Sequence, residues 1–476
     1  MDAAEGPGRA VTVVWFRDDL RITDHPALDA AVRRGRVLAL YVLDEDSADV
    51  LPLGTAARWW LDGSLRSLRA SLADLGIPLV SRRGPAGEVV PEVLRRTGAG
   101  GITWNRRYGG PDRAVDAAVE QWCAGHGVEV HSFAAALLHE PWEVRTGTGG
   151  TYKVFTPFWK ALRARPVRQP LPAPPAGRGA PPALAAAAGD EDPQAWALRA
   201  DRRRAQDLGA SWTTGEAAAW ERLDDFLDRV EDYAEGHDRP DRDATSRLSP
   251  HLRWGELSPH AVWDATVRHR AEQGGSPGLE KFLTELGWRE FNWHLLHEHP
   301  DLHRRHLRPR FDAFPWRSGE EAAADLSAWR EGRTGIPLVD AGMRQLAGTG
   351  WMHNRVRMVT ASFLVKNLMV DWRAGVGVFH DALVDADAAN NAANWQWVAG
   401  SGADASPFFR IFNPVTQARR FDPEARYVRR WVPELAAEGV DPHEPGLLGP
   451  SAGYPEPLVD LRASRQRALD AWAATA

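Results

Sequence analysis

The sequence predicts a parallel α/β domain followed by an all-α domain, and three observations support this. Apolar runs of β type alternate with amphipathic helical patterns over the first 133 residues, as in a parallel sheet covered by helices. Residues 166–189 contain seven prolines, which predicts an extended linker. From Ala217 onward the patterns are helical. We therefore expect domains at 1–133 and 217–476, joined by a linker at 134–216.

The first domain contains five strand candidates, at 11–16, 37–43, 78–80, 102–105 and 128–133. Amphipathic stretches such as 56–75 and 112–124 lie between them, so we predict a Rossmann-like parallel sheet. No G-x-G-x-x-G follows the first strand, and the usual dinucleotide-binding mode is not indicated. A ligand of this domain would lie at the carboxyl ends of the strands by general rule alone.

Two serine–proline pairs in the second domain predict helix starts. Ser249-Pro250 and Ser258-Pro259 each place a capping side chain before a proline at the first helical position. Residues 279–297 form one long predicted helix, and no strong β-type alternation occurs after Ala217. We expect this domain to be helical to the end of the chain.

Composition narrows the class of protein. The chain has 22 Trp against 6 Tyr, which suggests that the indole ring itself serves in stacking or redox chemistry. The single Cys123 excludes a disulfide within the chain and a cysteine-ligated iron–sulfur cluster. The first residues do not resemble a signal peptide, and no apolar run reaches the roughly 18 residues of a membrane span. We predict a cytoplasmic monomer with neither a membrane segment nor a metal site.

Positive charge is concentrated in two segments of an acidic chain. The net charge is −6, yet residues 341–373 carry five Lys or Arg against one acid, and residues 404–430 carry six Arg against three acids. A local basic patch is what a phosphate-binding site requires. Pairing of these arginines with nearby acids is the alternative.

Residues 385–397 hold two carboxylates, three Asn amides and two Trp, without any Lys, Arg or Glu. Such a density of polar groups beside aromatic rings is costly to bury without partners, which indicates a flat polar ligand such as a heteroaromatic cofactor. A surface loop of Asx turns is the alternative. Trp395 and Trp397 would point about 200° apart on a helix.

Residues 245–250 place three hydroxyls and Arg247 at a predicted helix start. This is a candidate diphosphate site, and an ordinary N-cap is the alternative.

Two further sets share helical faces by their spacing. They are Glu285, Trp288, Arg289 and Asn292, and Trp351, Asn354, Arg355 and Met358. Together they could wall a cavity for a flat polar ligand, with Arg357 reaching Asp385. Routine surface pairing of Glu with Arg is the alternative for the first set.

Several segments of the chain resemble the cryptochrome/DNA photolyase family, and within it class I. They occur in order over nearly the whole chain and include VVWFRDDLRITDHPAL, YKVFTPFWKA, TSRLSPHLRWGELSP, ELGWREF, TGIPLVDAGMRQLAGTGWMHNRVRMVTASFLVKNLMVDWR and DADAANNAANWQWVAGSGADASPFFRIFNPVTQ. The resemblance implies an N-terminal α/β domain and a C-terminal helical domain that holds FAD in a folded conformation.

The resemblance also implies roles for single residues. The implied FAD contacts are Tyr233, Thr245, Ser246, Arg247, Leu248, Ser249, Arg357, Asp385, Ala386, Asp387 and Asn391. An electron relay is implied at Trp395, Trp372 and Trp316, and Asn391 is expected near flavin N5. The implied lesion contacts are Glu285, Trp288, Asn354, Met358 and Trp397, and the implied DNA-side contacts are Arg355, Arg410 and Gln417.

The implied activity is light-driven electron transfer from reduced FAD that splits cyclobutane pyrimidine dimers in UV-damaged DNA. The alternatives are a (6-4) photolyase, whose relatives have His at the places of Asn354 and Met358, a cryptochrome photosensor, and a light-independent flavin oxidoreductase. Two departures from the family pattern are His237, where Arg is usual, and Phe282, where Trp is common. Arg239 could substitute for the missing Arg.

The resemblance leaves open which antenna chromophore the N-terminal domain binds, or whether it binds one. Folate-binding relatives carry a Glu that is absent after Asn105-Arg-Arg-Tyr108. This absence favours 8-hydroxy-deazaflavin over methenyltetrahydrofolate, or no antenna at all.

Overall fold

The computed structural model describes residues 11–405, 409–436, 441–443 and 453–475. Its first part is a five-stranded parallel sheet with the strand order β3-β2-β1-β4-β5. The strands are β1 Val11–Phe16, β2 Arg36–Leu43, β3 Leu79–Arg83, β4 Gly101–Asn105 and β5 Glu129–Phe133. The helices between them are α1 Pro26–Arg34, α2 Thr55–Asp74, α3 Ala86–Thr97 and α4 Gly110–His126. The predicted α/β domain is therefore confirmed.

Alternation along the strands builds two cores, one on each face of the sheet. Val14 and Phe16 of β1 pack with α1 and α2, whereas Val13 and Trp15 pack with α3 and α4. The third strand is longer than the predicted 78–80, because Ser81, Arg82 and Arg83 continue the pairing with β2. Because these residues are polar, a prediction based on apolar runs ended the strand too early.

The helical domain packs over the carboxyl end of β1. The backbone N–H of Leu20 donates to the carbonyl of Trp254 at 3.0 Å, and the Arg21 guanidinium donates to the carbonyl of Gly255 at 2.8 Å. Gly255 has φ +60°, and a Cβ there would lie 2.3 Å from the Asp18 carbonyl oxygen. The sheet edge at which a nucleotide usually binds is thus an interface between the two domains.

The segment between the domains is only partly extended. It contains α5 Phe155–Arg163, α6 Pro182–Ala187 and α7 Arg202–Ser211. Its proline-rich portion returns to the sheet, because the N–H of Val37 donates to the Arg178 carbonyl and the N–H of Ala180 donates to the Val37 carbonyl. The α6 helix lies inside the portion that we expected to be wholly extended.

The C-terminal part is helical, as predicted. Its helices are α8 Glu216–Leu227, α9 Tyr233–Gly236, α10 Ser249–Arg253, α11 Pro259–Gln273, α12 Pro277–Glu298, α13 Glu320–Arg330, α14 Pro337–Thr349, α15 Asn354–Ser362, α16 Trp372–Ala382, α17 Asn390–Ala399, α18 Pro414–Phe421, α19 Arg426–Trp431 and α20 Leu461–Ala474. A π-helix at Phe363–Asn367 directly follows α15. The predicted helix 279–297 is α12.

Only one of the two predicted serine caps is present. Ser258 caps α11, and its hydroxyl accepts the N–H of Ala261 at 2.9 Å. Ser249 does not cap α10, because it is already the first residue of that helix and its hydroxyl donates to Asp385 at 2.6 Å. The cap prediction for Ser249 was wrong because a distant carboxylate takes its hydroxyl.

No helix among the described residues is long and apolar enough to cross a membrane.

Candidate active site

A cavity of about 520 Å³ lies between α9, α10, α12, α15 and α17, within the volume range of cofactor sites. Most of the predicted site residues line it. They are Tyr233, Thr245, Ser246, Leu248, Ser249, Glu285, Trp288, Arg289, Asn292, Asn354, Arg355, Arg357, Met358, Asp385, Ala386, Asp387, Asn391, Trp395 and Trp397. The predicted residues outside its lining are Arg247, Trp372, Trp316, Arg410 and Gln417.

Asp385 joins three elements on one side of this cavity. Its carboxylate accepts both terminal nitrogens of Arg357, at 3.1 and 2.8 Å, and the hydroxyl of Ser249 at 2.6 Å. Asp385 is buried, so the charge of Arg357 balances it in a place where an unpaired carboxylate would be costly. The predicted contact between Arg357 and Asp385 is confirmed.

Asp387 is used differently. Its Oδ1 accepts the N–H groups of Ala389 and Asn390 at the start of α17, and its Oδ2 accepts the Asn390 side chain at 2.7 Å. Burial raises the pKa of Asp387, while the hydrogen bonds from Asn390 act in the opposite direction. This half of the segment is an Asx-type helix start, as in the alternative interpretation. Asn391 lines the cavity and donates to the Val376 carbonyl at 3.1 Å.

The hydroxyl-rich loop before α10 presents part of its polar groups to the cavity. Thr245, Ser246 and Ser249 line it. Arg247 has φ +50°, and its guanidinium lies over the Trp351 ring at 5.3 Å and pairs with Asp243 at 3.0 Å. Arg247 is not part of the cavity lining, although its guanidinium packs on Trp351, which is, and the FAD contact of Arg247 stays a prediction.

Neither basic residue near Tyr233 is free to replace the missing Arg. Arg239 forms a two-pronged pair with Asp241, at 2.8 and 2.7 Å. His237 lines the cavity and lies 3.6 Å from a carboxylate oxygen of Asp238. The proposed substitution by Arg239 is therefore not supported, because its guanidinium already has a carboxylate partner.

The α12 face forms one wall of the cavity. Glu285 pairs with Lys281 at 2.9 Å. The ring of Trp288 is stacked on Phe155, with centroids 3.7 Å apart and planes 9° apart. One face of that indole is thus covered by α5, and a flat ligand can stack only on the other.

Two other polar residues of α12 are tied to neighbouring elements. Arg289 donates to the Ala136 carbonyl at 2.9 Å and to Glu290 at 3.0 Å, and Asn292 donates to Asn390 at 2.9 Å. Burial raises the pKa of Glu290 to about 7, against the opposing effect of Arg289.

The opposite wall is α15, which begins at Asn354. Trp351 precedes this helix, so the predicted common helical face of Trp351 with Asn354 was wrong, although both line the cavity. Arg355 forms a two-pronged pair with Asp238, at 3.1 and 2.7 Å, and its guanidinium lies over the Phe421 ring at 4.5 Å.

The basic segment 341–373 is largely neutralised by acids. Arg344 pairs with Glu434, Arg355 with Asp238, Arg357 with Asp385 and Arg373 with Asp371. Lys366 is fully buried, and burial lowers its pKa well below the usual value. The alternative of internal pairing describes this segment better than a phosphate-binding patch does. In the second segment, Arg410 is exposed and lies over Trp397 at 5.4 Å, and Gln417 lies on α18.

The three tryptophans of the predicted relay run from the cavity outward. Trp395 lines the cavity and is 2% exposed, Trp372 is fully buried and Trp316 is partly buried. Trp395 packs on α16 where Gly375 leaves room, since a Cβ there would lie 2.2 Å from its ring. Trp372 begins α16, one turn before Gly375, so this helix connects the two indoles.

Sequence reasoning missed several residues of the site. Lys281, Arg253 and Asp238 line the cavity, and Phe155 backs Trp288. The spacing of Lys281 to Glu285 is a visible signal for an i, i+4 pair. The partners of Asp238 and Phe155 are more than a hundred residues away, so no local pattern indicates them. Among the described residues, no group of three or more His, Cys, Asp or Glu could hold a metal ion.

Comparison with known proteins agrees with this architecture. Residues 12–176 match the family described as DNA photolyase, and residues 282–474 match the FAD binding domain of DNA photolyase. A deoxyribodipyrimidine photo-lyase of Agrobacterium fabrum is 46% identical over 98% of both chains. Cryptochrome-1 of Arabidopsis thaliana is 34% identical, over 97% of this chain and 70% of its own length. The crystal structure of a bacterial class III photolyase from Agrobacterium tumefaciens superposes with a TM-score of 0.91 at 44% identity, covering 100% of this chain and 99% of that one.

An α/β domain joined to a helical domain of FAD-binding type, with one cavity lined by acids, amides and indoles, defines a two-domain flavoprotein. The chain belongs to the photolyase/cryptochrome family.

The assignment to class I is not supported, because the solved structure that superposes with a TM-score of 0.91 is that of a class III photolyase. Several of the motifs behind that assignment contribute residues to the cavity lining. A cavity for the same cofactor does not separate one subgroup from another, which explains the error.

Proposed function

We propose that this protein is a deoxyribodipyrimidine photolyase that repairs cyclobutane pyrimidine dimers in UV-damaged DNA. One observation carries the proposal. Apart from Arg247, the residues predicted to contact FAD line the same cavity as those predicted to contact the lesion, so an electron donor and its acceptor would lie next to each other. The similarity to the Agrobacterium fabrum photo-lyase, higher than that to Arabidopsis Cryptochrome-1, supports repair over signalling.

The residues present fit FAD. The Asp385–Arg357 pair, the Asn391 amide and the hydroxyls of Thr245, Ser246 and Ser249 offer donors and acceptors along one side of the cavity, as a ligand with a flavin ring and a diphosphate requires. When bound, FAD in its reduced form supplies the light absorption and the electron that splits the cyclobutane ring. The residues of the protein contribute by positioning the reactants and by electrostatic stabilisation.

The lesion side of the cavity has groups for a flipped pyrimidine dimer. With a proton on its carboxyl group, Glu285 can donate a hydrogen bond to a pyrimidine carbonyl oxygen and so stabilise the negative charge that develops there. The open face of Trp288, together with Trp397, can stack on the bases. Arg410, over Trp397, extends this site towards the DNA backbone, and we propose Gln417 as a further DNA contact.

Asn354 and Met358 argue against the (6-4) photolyase alternative. Both line the cavity, and neither is the His that relatives of that kind have at these places. The decisive test offers cyclobutane dimers and (6-4) lesions separately to the reduced protein under blue light. We expect repair of the first only. Repair of only the second would overturn the substrate, and repair of neither would favour the photosensor.

We propose the Trp395, Trp372 and Trp316 series as the route that reduces the flavin from the surface. Trp395→Phe should abolish light-driven reduction of the bound cofactor, because it removes the indole at the cavity. Trp104→Phe, deep in the α/β domain, is the matched control. Normal photoreduction in Trp395→Phe would contradict an obligatory relay.

Further proposals concern the cellular location, oligomeric state, class, domain limits and antenna of the protein. We propose a cytoplasmic monomer of class III, with domain limits at 1–133, 134–216 and 217–476. Gel filtration tests the oligomeric state. We also propose 8-hydroxy-deazaflavin rather than methenyltetrahydrofolate as an antenna, and the fluorescence of the chromophore released on denaturation identifies it.

A further inference from the structure

His306 lies between the second and third tryptophans of the proposed relay. Its ring centroid is 5.6 Å from that of Trp372 and 6.5 Å from that of Trp316, and its plane is within 7° of the Trp316 plane. The indole Nε1–H of Trp372 donates to Nε2 of His306 at 3.5 Å. His306 is buried, so this contact is shielded from bulk water.

The other two indoles of the relay lack such a base. The Nε1 atoms of Trp395 and Trp316 are buried without a hydrogen-bond partner among the described residues. An oxidised tryptophan is a much stronger acid than a neutral one, since removal of an electron leaves a positive charge on the N–H ring. Of the three indoles, only that of Trp372 has an acceptor for its proton among the residues that the structure describes.

We propose that Nε2 of His306 takes the indole proton of Trp372 after Trp372 has given up an electron. The inference rests on the relay of the proposed function. The electron passes from Trp372 to the oxidised Trp395, which becomes neutral again. The proton of Trp372 Nε1 passes to His306, which leaves a neutral Trp372 radical beside an imidazolium. The total charge and the number of protons are unchanged.

The surroundings of His306 keep it able to accept this proton. Burial lowers its pKa, and the positive charge of Arg373 adds to this effect, while Asp312 and Asp371 act in the opposite direction. His306 is therefore neutral at neutral pH, and the form that accepts at Nε2 carries its hydrogen on Nδ1. Nδ1 is buried without a partner among the described residues, so the imidazolium is not strongly stabilised and returns the proton once Trp372 is reduced again.

The proton shift has a consequence for the relay. A neutral Trp372 radical is a weaker oxidant than the cation, so the return of the electron is slowed. Although 3.5 Å is long for a hydrogen bond, such contacts tighten when charge develops on the donor. His306 would thus retain the charge separation at a buried position, before the surface is reached.

The test uses the holoprotein with Trp316→Phe, in which Trp372 is the last indole of the relay. Laser-flash absorption distinguishes the radical cation from the neutral indole radical by their spectra. In the Trp316→Phe protein, the neutral Trp372 radical should form. Its formation should be slower in deuterated buffer than in ordinary buffer, and slower at a pH low enough to protonate His306. Adding His306→Gln, which keeps an acceptor but removes the base, should slow proton loss by about 100-fold, the lower end of what a positioned base contributes.

His303→Gln is the matched control, because His303 lies in the same loop, three residues from His306, and is not part of the relay. Each variant is first checked for flavin content and melting temperature, and His306→Phe serves as a second replacement. In the resting protein, 15N NMR should show His306 neutral with its hydrogen on Nδ1.

Two failures can be told apart. Unchanged proton loss in His306→Gln and His306→Phe, with the relay intact, would overturn the role of His306 alone. Normal photoreduction in Trp372→Phe would instead overturn the relay, and the role of His306 with it.

Discussion

At the scale of single residues, the site depends on charges that neutralise one another across long stretches of chain. Asp385 follows α16, Arg357 lies on α15 and Ser249 begins α10, yet all three meet at one carboxylate. Because the carboxylate of Asp385 is almost fully buried, its removal leaves a guanidinium without its counter-charge. The pair therefore stabilises the cavity whether or not a ligand is bound.

Asp385→Asn should lower both stability and flavin content. Breaking a buried ion pair costs about 3–5 kcal/mol, and we expect about 3 kcal/mol here because the Arg357 side chain is 24% exposed. The measurements are urea unfolding and the flavin released per chain. Asp301→Asn, whose carboxylate pairs with Arg305 on the surface, is the control. Full flavin content in Asp385→Asn would contradict the assigned role.

Phe155 fixes the plane of the Trp288 indole from behind. Phe155→Leu keeps an apolar side chain but removes the flat support, so the affinity for a dimer-containing oligonucleotide should fall. A loss of about tenfold is expected, within the roughly 1–3 kcal/mol of a stacked base. Phe158→Leu on the same helix is the control, because the Phe158 ring packs on Phe291 and His294 and is not stacked on Trp288. Equal affinities of the two variants would disprove a stacking role.

The residues that sequence reasoning identified are those with local or family signals. The acid–amide segment and the faces of α12 and α15 came from composition and spacing, and most of their members do line one cavity. The pairing of Arg355 with Asp238 and the placement of His306 beside Trp372 join residues 117 and 66 positions apart. Such contacts depend on how helices pack, which no pattern in a single segment reveals.

At the scale of elements, apolar periodicity predicted the strands and the long helices, whereas ends and caps depended on distant partners. The β3 strand continues through polar residues because β2 pairs with them. Ser249 fails as a cap because Asp385 takes its hydroxyl. The segment 341–373 has the charge of a DNA-binding patch, but Glu434, Asp238 and Asp385 from other parts of the chain pair with three of its arginines, and its own Asp371 pairs with Arg373.

The contact between α16 and α17 gives an element-scale prediction. Gly375→Ala should destabilise the protein although Ala favours helices by about 1 kcal/mol, because its Cβ would meet the Trp395 ring at 2.2 Å. Overpacking costs about 1–3 kcal/mol. Gly377→Ala on the same helix has nothing within 4 Å of the new Cβ and should be stabilising. Urea unfolding and tryptophan fluorescence compare the two, and stabilisation of both would refute tight packing at Gly375.

At the scale of the whole molecule, the protein has a net charge of −6, and many of its arginines pair with its own acids. We therefore expect only a few positively charged residues to contact DNA phosphates. Arg410→Gln should therefore weaken the salt dependence of DNA affinity, with log K against log salt becoming shallower by about 0.9 for one lost phosphate contact. Arg33→Gln, on the surface of the α/β domain, should leave the slope unchanged. An unaltered slope in Arg410→Gln would exclude this arginine from the phosphate contacts.

The pH dependence of stability follows from three buried histidines of the helical domain. Burial lowers the pKa of His260 to about 3, of His294 to about 4 and of His353 to about 3. The unfolded chain binds protons at these residues below about pH 6.5, whereas the native state does not. Each histidine therefore makes the native state less stable as the pH falls below about 6.5, by up to about 1.4 kcal/mol per pH unit.

Glu290 acts in the opposite direction, because its raised pKa of about 7 keeps a proton on the native state that the unfolded chain releases above about pH 4.3. The contribution of Glu290 to stability is therefore lost as the pH rises towards 7. Below about pH 6.5, the stability that the three histidines lose as the pH falls exceeds the stability that Glu290 gains. Melting temperatures measured by circular dichroism should fall from about pH 6.5 to about pH 5. Glu290→Gln removes the opposing contribution, so its melting temperature should fall more steeply over the same range. A variant with a slope equal to or shallower than that of the unaltered protein would contradict protonation of Glu290 in the native state.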